Sequence, residues 1–212
     1  MKHIVFDIET IPQDETRLLA LAPEFLAPAN LKDPVKIEAA IAKRRADYLA
    51  DAALNWKTAE AVLIGAGDDA GIQSLTGSSE RELVGDFLTL IGDALADGVA
   101  VGGHNVKGFD LPMLVNRARV HGLRIPTTVL QFWKGRPTWH ESVFDTLELL
   151  SFGRSFDGNG VDDVARVFGL PSKLGNGRDF PLLWRADREA ALAYNRRDVE
   201  IEIEIARICN CI

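Results

Sequence analysis

The chain has 212 residues, 47% of them apolar, enough for one substantial core. Its net charge of −7 and pI near 5.1 exclude indiscriminate nucleic-acid binding through a broad basic face. They leave room for an enzyme that holds nucleic acid through metal ions and a few local cations.

No apolar run reaches the roughly 18 residues that a membrane span needs. Met1-Lys2-His3 leads straight into a strand-like run with no visible signal peptide. A soluble, cytoplasmic protein is expected, with residues 1–212 forming one domain. Cys209 and Cys211 are too close for a ready disulfide and too few for a zinc site, so both are read as reduced thiols.

His3 to Glu9 reads as a buried strand, with Ile4, Phe6 and Ile8 on one face and Val5, Asp7 and Glu9 on the other. Two acids on one side of a buried strand call for a reason, since unpaired buried charge is costly. A metal ion is one reason; a second face open to water is the other. Residues 14–58 then read as a helical insertion. Pro12, Pro23, Pro28 and Pro34 break up its start, and Val35 to Asn55 carries Ile37, Ile41 and Tyr48 at near-helical spacing. Lys43-Arg44-Arg45 within it is read as a solvated helix face.

Ala61–Gly67 and Ile72–Leu75 read as a hairpin around Asp68-Asp69-Ala70-Gly71. A serine of Ser78-Ser79-Glu80 caps the next predicted helix, whose apolar face holds Leu83, Phe87, Leu88, Leu90 and Ile91. Val99–Gly103 is a short apolar strand. Asp110 is expected as the N-cap of a helix with Pro112 in its first turn, running to His121 and stopped by Gly122. Val143–Leu150 is mixed around Asp145, and Val161–Phe168 is a short helix ended by Gly169.

Asp187 opens the last helix. Val199 to Ile205 alternates apolar and acidic residues, which argues for a strand. The preceding run is rich in helix formers without a turn signal, so one long helix is expected. On that helix Tyr194 and Asp198 stand one turn apart on the same side.

Asp7, Glu9, Asp110 and Asp198 brought together would repel strongly without cations between them, and hard oxygen donors suit Mg²⁺ or Mn²⁺. The segments that carry them resemble Exo I (Asp7-Ile8-Glu9-Thr10), Exo II (Asn105 to Pro112) and Exo III (Tyr194-Asn195-Arg196-Arg197-Asp198) of the DEDD 3′-5′ exonucleases. The Tyr-x-x-x-Asp form is that of the DEDDy branch; Ala193 stands where the other branch has its histidine. Val161 to Lys173 is similar to the stretch before Exo III in stand-alone exonucleases related to family B DNA polymerase proofreading domains.

The resemblance implies an α/β fold: an RNase H-like mixed β-sheet flanked by helices, with the helical insertion after the first strand. It implies that Asp7, Glu9, Asp110 and Asp198 bind two divalent ions, Mg²⁺ or Mn²⁺. Tyr194 would orient the attacking water and help deprotonate it. Glu9 would touch the terminal 3′-hydroxyl, and Thr10, Asn105 and Phe109 would meet the last nucleotide; the alternative for Phe109 is a core position. In-line attack at the terminal phosphorus would release nucleoside 5′-monophosphates, from single-stranded DNA by preference. A ribonuclease working from RNA 3′ ends is the first alternative. A non-catalytic nucleic-acid-binding scaffold is the second. The chain holds no polymerase motifs, so it would act alone or with a protein partner.

Weaker expectations concern other polar groups. Asp145 is read as a turn cap, the alternative being a supporting residue behind the metal ligands, and His104 is read as structural. Lys173 and Arg178 flank Gly175-Asn176-Gly177 and are either phosphate contacts or loop cations. Trp133, Lys134, Arg136 and Trp139 form a basic-aromatic stretch suited to a single strand or to covering the core.

Overall fold

The computed structural model describes residues 3–131, 142–152 and 160–212. The Trp133–Trp139 stretch lies outside them. Two compact units are distinguished: residues 1–9 with 61–212, and residues 10–60.

The larger unit is built on a five-stranded sheet in the order β3-β2-β1-β4-β5. The strands are β1 (His3–Pro12), β2 (Ala59–Asp68), β3 (Gly71–Leu75), β4 (Ala100–Gly103) and β5 (Val143–Asp145). The last residues of β1, from Thr10, and the first two of β2 belong to the smaller unit. β1 pairs in parallel with β4 through Ile4 and Val101, and β4 pairs in parallel with β5 through Gly103 and Asp145. β2 and β3 form the expected antiparallel hairpin, closed at Asp68 and Gly71. The sheet is therefore mixed.

The helices are α1 (Glu15–Leu21), α2 (Pro34–Ala50), α3 (Glu80–Ala96), α4 (Asp110–Val120), α5 (Thr127–Gln131), α6 (Thr146–Ser151), α7 (Val161–Val167), α8 (Phe180–Ala186) and α9 (Arg188–Ile208). Strand alternation decides what each meets. Phe6 packs on Phe87 of α3 with ring centroids 5.0 Å apart. Val5, on the other face, packs with Val199, Ile203 and Ala206 of α9. Asp7 shares Val5's face, so the same alternation turns it towards α9.

The strand-like alternation of 199–205 is resolved as helix, because α9 is covered on two sides. Val199 and Ile203 pack on the sheet, whereas Ile201 and Ile205 pack on Val164 and Ala165 of α7. Glu200 is exposed and Glu204 half-buried; Glu202 is buried. Two buried stripes on one helix give an apolar residue at every second position.

Asp110 departs from its expected place by one residue: Phe109 is the N-cap of α4 and Asp110 opens the helix. Its carboxylate is committed elsewhere, accepting the Ile8 N–H at 3.0 Å. α3 starts as expected, with Ser79 accepting the Glu82 N–H. A buried network ties α3 to α4: Glu80 accepts from Arg117 Nε at 2.7 Å and from the Ala61 N–H at 2.8 Å, and lies 2.6 Å from His121 Nε2.

In the smaller unit, Asp33 caps α2 and Pro34 takes its first position, where a missing N–H costs nothing. The Tyr48 hydroxyl donates to the Leu18 carbonyl at 2.8 Å, and the Tyr48 ring meets Phe25 edge-on. Lys43, Arg44 and Arg45 are exposed. Among the described residues no helix is long and apolar enough to cross a membrane. Cys209 and Cys211 are free thiols.

Candidate metal-dependent nuclease site

Strand β1 and helix α9 bring three acids together. Asp7, Glu9 and Asp198 each offer an oxygen such that all three lie within 4.8 Å of one another. Asp7 and Glu9 share a strand face by the period of two, and Asp198 stands on the α9 stripe turned to that face. Asp110 lies outside this group of three but is tied to it through the backbone between Asp7 and Glu9, because its Oδ1 takes the Ile8 N–H.

The site is largely buried. Glu9, Asp110 and Asp198 are buried, and Asp198 Oδ1 has no hydrogen-bond partner among the described residues. Asp7 keeps one edge open to solvent. Burial and the neighbouring Asp198 push its carboxyl up to about 7. Burial, then Asp7 and Asp198, push Glu9 well above the usual carboxylate range, and burial with Asp7 does the same to Asp110. Such a group of acids resists ionising together. A hard cation among them removes that resistance, and carboxylate oxygens are the donors such an ion takes. The donor set therefore fits a divalent metal.

Lys173 enters this cluster. Its Nζ lies 2.6 Å from Asp198 Oδ2 and 5.6 Å from the centre of the Tyr194 ring. Burial pushes the Asp198 carboxyl up while Lys173 pulls it back, and the balance stays above the usual range. The Tyr194 hydroxyl is buried without a well-formed hydrogen bond, and burial together with Asp198 pushes its pKa up. Its ring is held at 5.8 Å from Phe180 of α8, and the backbone at Gly175 runs beside it: a Cβ there would stand 3.5 Å from Tyr194 Cε2.

Two further residues belong to the site although the sequence reading passed over them. Asn195 Nδ2 donates to Asp7 Oδ2 at 2.9 Å and so fixes that carboxylate. Gly65 of β2 makes room for Asn195, since a Cβ there would fall 2.2 Å from its Oδ1. Glu202 is 2% exposed and accepts the His104 N–H at 3.2 Å. Burial, then Asp7 and Asp110, push its carboxyl well up. The signal was present: Tyr194, Asp198 and Glu202 continue one i, i+4 stripe.

The remaining predicted residues are placed as follows. Asn105 adopts a left-handed φ of 66°, a conformation asparagine tolerates, and its carbonyl accepts from Gly108 and Phe109 in a tight turn. Phe109 is half-buried. Asp145 caps α6 through the Leu147 and Glu148 N–H groups, as expected, and also takes the Asn105 and Lys107 N–H groups at 2.9 Å each. His104 Nδ1 lies 2.8 Å from the Thr146 hydroxyl. Thr10 belongs to the smaller unit, where its hydroxyl donates to the Ala53 carbonyl at 2.6 Å. Arg178 is exposed.

Residues 58–201 match the model of a family described as "Predicted 3′-5′ exonuclease related to the exonuclease domain of PolB". The chain belongs to that family of nucleases. Asp7 and Glu9 lie before the matched span, so their place in the site rests on the fold. Among solved structures, the chain is similar to the family B DNA polymerase of the hyperthermophilic archaeon Pyrobaculum calidifontis. The identity is 17% and the TM-score 0.57, over 97% of this chain and 24% of the polymerase. The chain thus spans about a quarter of that protein, and the likeness is one of fold: an RNase H-like α/β sheet flanked by helices. No curated protein sequence matches the chain.

Proposed function

We propose that the chain is a divalent-metal-dependent 3′-5′ exonuclease of the DEDDy kind, acting on single-stranded DNA and releasing nucleoside 5′-monophosphates. One observation carries this reading: Asp7, Glu9 and Asp198 meet within 4.8 Å, with Tyr194 one helical turn from Asp198. Asp7, Glu9, Asp110 and Asp198 would hold two ions, Mg²⁺ or Mn²⁺. Such a pair, when bound, supplies charge neutralisation on both sides of a phosphodiester under in-line attack.

The protein's own groups do the positioning. Asn195 holds Asp7, and the Ile8 N–H holds Asp110. In the metal-free chain burial and Asp198 raise the Tyr194 pKa. Its hydroxyl, one turn from Asp198, is the group that orients the attacking water. Lys173 brings a positive charge beside Asp198, where negative charge accumulates on the phosphate. Asn105 and Phe109, on the turn leading into Asp110, are the contacts to the last nucleotide.

The DNA preference is supported by the family's relation to a polymerase exonuclease domain. A 5′-labelled DNA strand and its RNA counterpart, each incubated with Mg²⁺, Mn²⁺ or EDTA, test it. The expected result is a metal-dependent ladder shortening from the 3′ end of the DNA, with nucleoside 5′-monophosphates released. A ladder on RNA alone transfers the reading to an exoribonuclease. Strand binding without a ladder on either turns it into a scaffold.

A further inference from the structure

Between β4 and α4 the chain runs through residues 104–109 before Asp110 appears. Three backbone N–H groups of this run go to two carboxylates. His104 donates to Glu202 at 3.2 Å; Asn105 and Lys107 donate to Asp145 at 2.9 Å each. At the far end Asp110 accepts from Ile8. The segment is thus pinned at its start to α9, in its middle to the end of β5, and at its end to β1.

Glu202 is the unexpected pin. It lies one turn beyond Asp198 on a helix whose flanking inward positions are Val199, Ile201, Ile203 and Ile205. The acids nearest to it in effect, Asp7, Asp110 and Asp198, oppose its ionisation. An apolar side chain would fill that position without a desolvation cost. The fold instead keeps a carboxyl there and clears space for it. Opposite stands Gly103, where a Cβ would meet the Phe6 carbonyl at 2.6 Å, and Glu202 Oε2 and a Val106 methyl at 2.8 Å each. What the carboxyl does in return is hold the His104 N–H.

We infer that Glu202 is a positioning residue of the proposed site: it fastens the start of the 104–109 segment to the helix bearing Tyr194 and Asp198, and so sets where Asp110 stands relative to Asp7, Glu9 and Asp198. This rests on the metal-dependent reading of those four acids. Glu202 touches neither substrate nor ion in this account. It acts through the backbone, and reach matters rather than charge.

Two conservative variants of the whole chain separate reach from charge. Glu202→Gln keeps an acceptor oxygen at the same reach and cannot ionise. Glu202→Asp can still ionise and draws the acceptor back by one carbon. Mn²⁺ binding by calorimetry is the primary readout, because it needs no cleavage; kcat and KM on a single-stranded DNA oligonucleotide are the second. The expected result is that Glu202→Asp weakens Mn²⁺ binding about 10- to 100-fold and lowers kcat at little change in KM, as loss of an outer-shell partner does. Glu202→Gln should stay close to the unaltered protein in both. Glu202→Asp binding Mn²⁺ as the unaltered protein does, or Glu202→Gln failing as badly as Glu202→Asp, overturns the inference while leaving the metal site standing. An unaltered chain that binds no Mn²⁺ overturns the metal reading and this inference together.

Discussion

Lys173 Nζ stands 2.6 Å from Asp198 Oδ2, so a cation of the chain itself is paired with one of the four acids assigned to the metal site. Both side chains are largely withdrawn from water, and burial alone would lower the lysine pKa; Asp198, Tyr194 and Asp7 together outweigh burial and raise it instead. Removing one member of such a pair strands the other. Lys173→Met should therefore destabilise the metal-free protein by about 1–3 kcal/mol, below the range for fully buried pairs because Lys173 keeps some exposure. A saturating divalent ion should recover part of that loss. Thermal melts in EDTA and in Mn²⁺ check it; equal melts for both proteins in EDTA would show that the pair holds nothing.

Tyr194→Phe isolates the hydroxyl. The ring contact with Phe180 and the space beside Gly175 are unchanged by it, so stability should stay within about 0.5 kcal/mol, as for a substitution that disturbs no packing. Cleavage should fall by roughly 10- to 100-fold, the scale of a misplaced reactant. Asp198→Asn should cost far more. Equal losses in single-turnover assays would mean that the hydroxyl does more than orient water.

Gly65 and Asn195 make a prediction about shape. A Cβ on Gly65 would lie 2.2 Å from Asn195 Oδ1 and drive the amide away from Asp7. Gly65→Ala should cost about 1–3 kcal/mol, the usual range for overpacking, and weaken Mn²⁺ binding as well. Asn195→Ala should reproduce the loss of Mn²⁺ binding. Titration calorimetry on both variants decides: undisturbed Mn²⁺ affinity in Asn195→Ala would remove Asn195 from the account.

The pH dependence follows from the sign of each shift. Asp7 moves from an ordinary 3.8 up to about 7, and Glu9 and Asp110 also move up. Across that window the folded metal-free chain holds more protons than the unfolded chain, so stability contributed by these groups falls as pH rises. Glu80 acts oppositely. Burial pushes it up, but Arg117, the Ala61 N–H and His121 outweigh burial and hold it below its ordinary 4.5. Its contribution is complete above that value and lost as pH falls through the depressed one. Melting temperature in EDTA should therefore decline from about pH 5 to pH 8. The gain on adding Mn²⁺ should be larger at pH 8 than at pH 6, since below pH 7 the ion must displace protons. A Mn²⁺ gain independent of pH would contradict this.

The three acid-bearing segments were legible because they are local: a period of two places Asp7 with Glu9, and a spacing of four places Tyr194 with Asp198. The family resemblance read from those segments agrees with the family match over 58–201, and the mixed sheet flanked by helices agrees with the expected fold. What sequence alone left hidden depends on contacts between distant segments. Asp110 looked like an N-cap until Ile8, 102 residues away, appeared as its donor. Lys173 read equally as loop cation or phosphate contact, because nothing local announces Asp198 as its partner. Asp145 was legible as a cap but not as the anchor of Asn105 and Lys107, 40 and 38 residues before it. Helix α8 had no counterpart among the predicted elements: its seven residues open with Phe180-Pro181 directly after a glycine-rich loop, too short a run for helical periodicity to show.

The most direct test of the central claim is a single-turnover reaction on a 5′-labelled single-stranded DNA, comparing the unaltered chain with Asp198→Asn in Mn²⁺. A ladder descending one nucleotide at a time from the 3′ end, abolished by EDTA and by the substitution, is what the clustered acids predict. An identical ladder from Asp198→Asn, with the variant's folding confirmed by its melting curve, would place the chemistry somewhere other than this cluster.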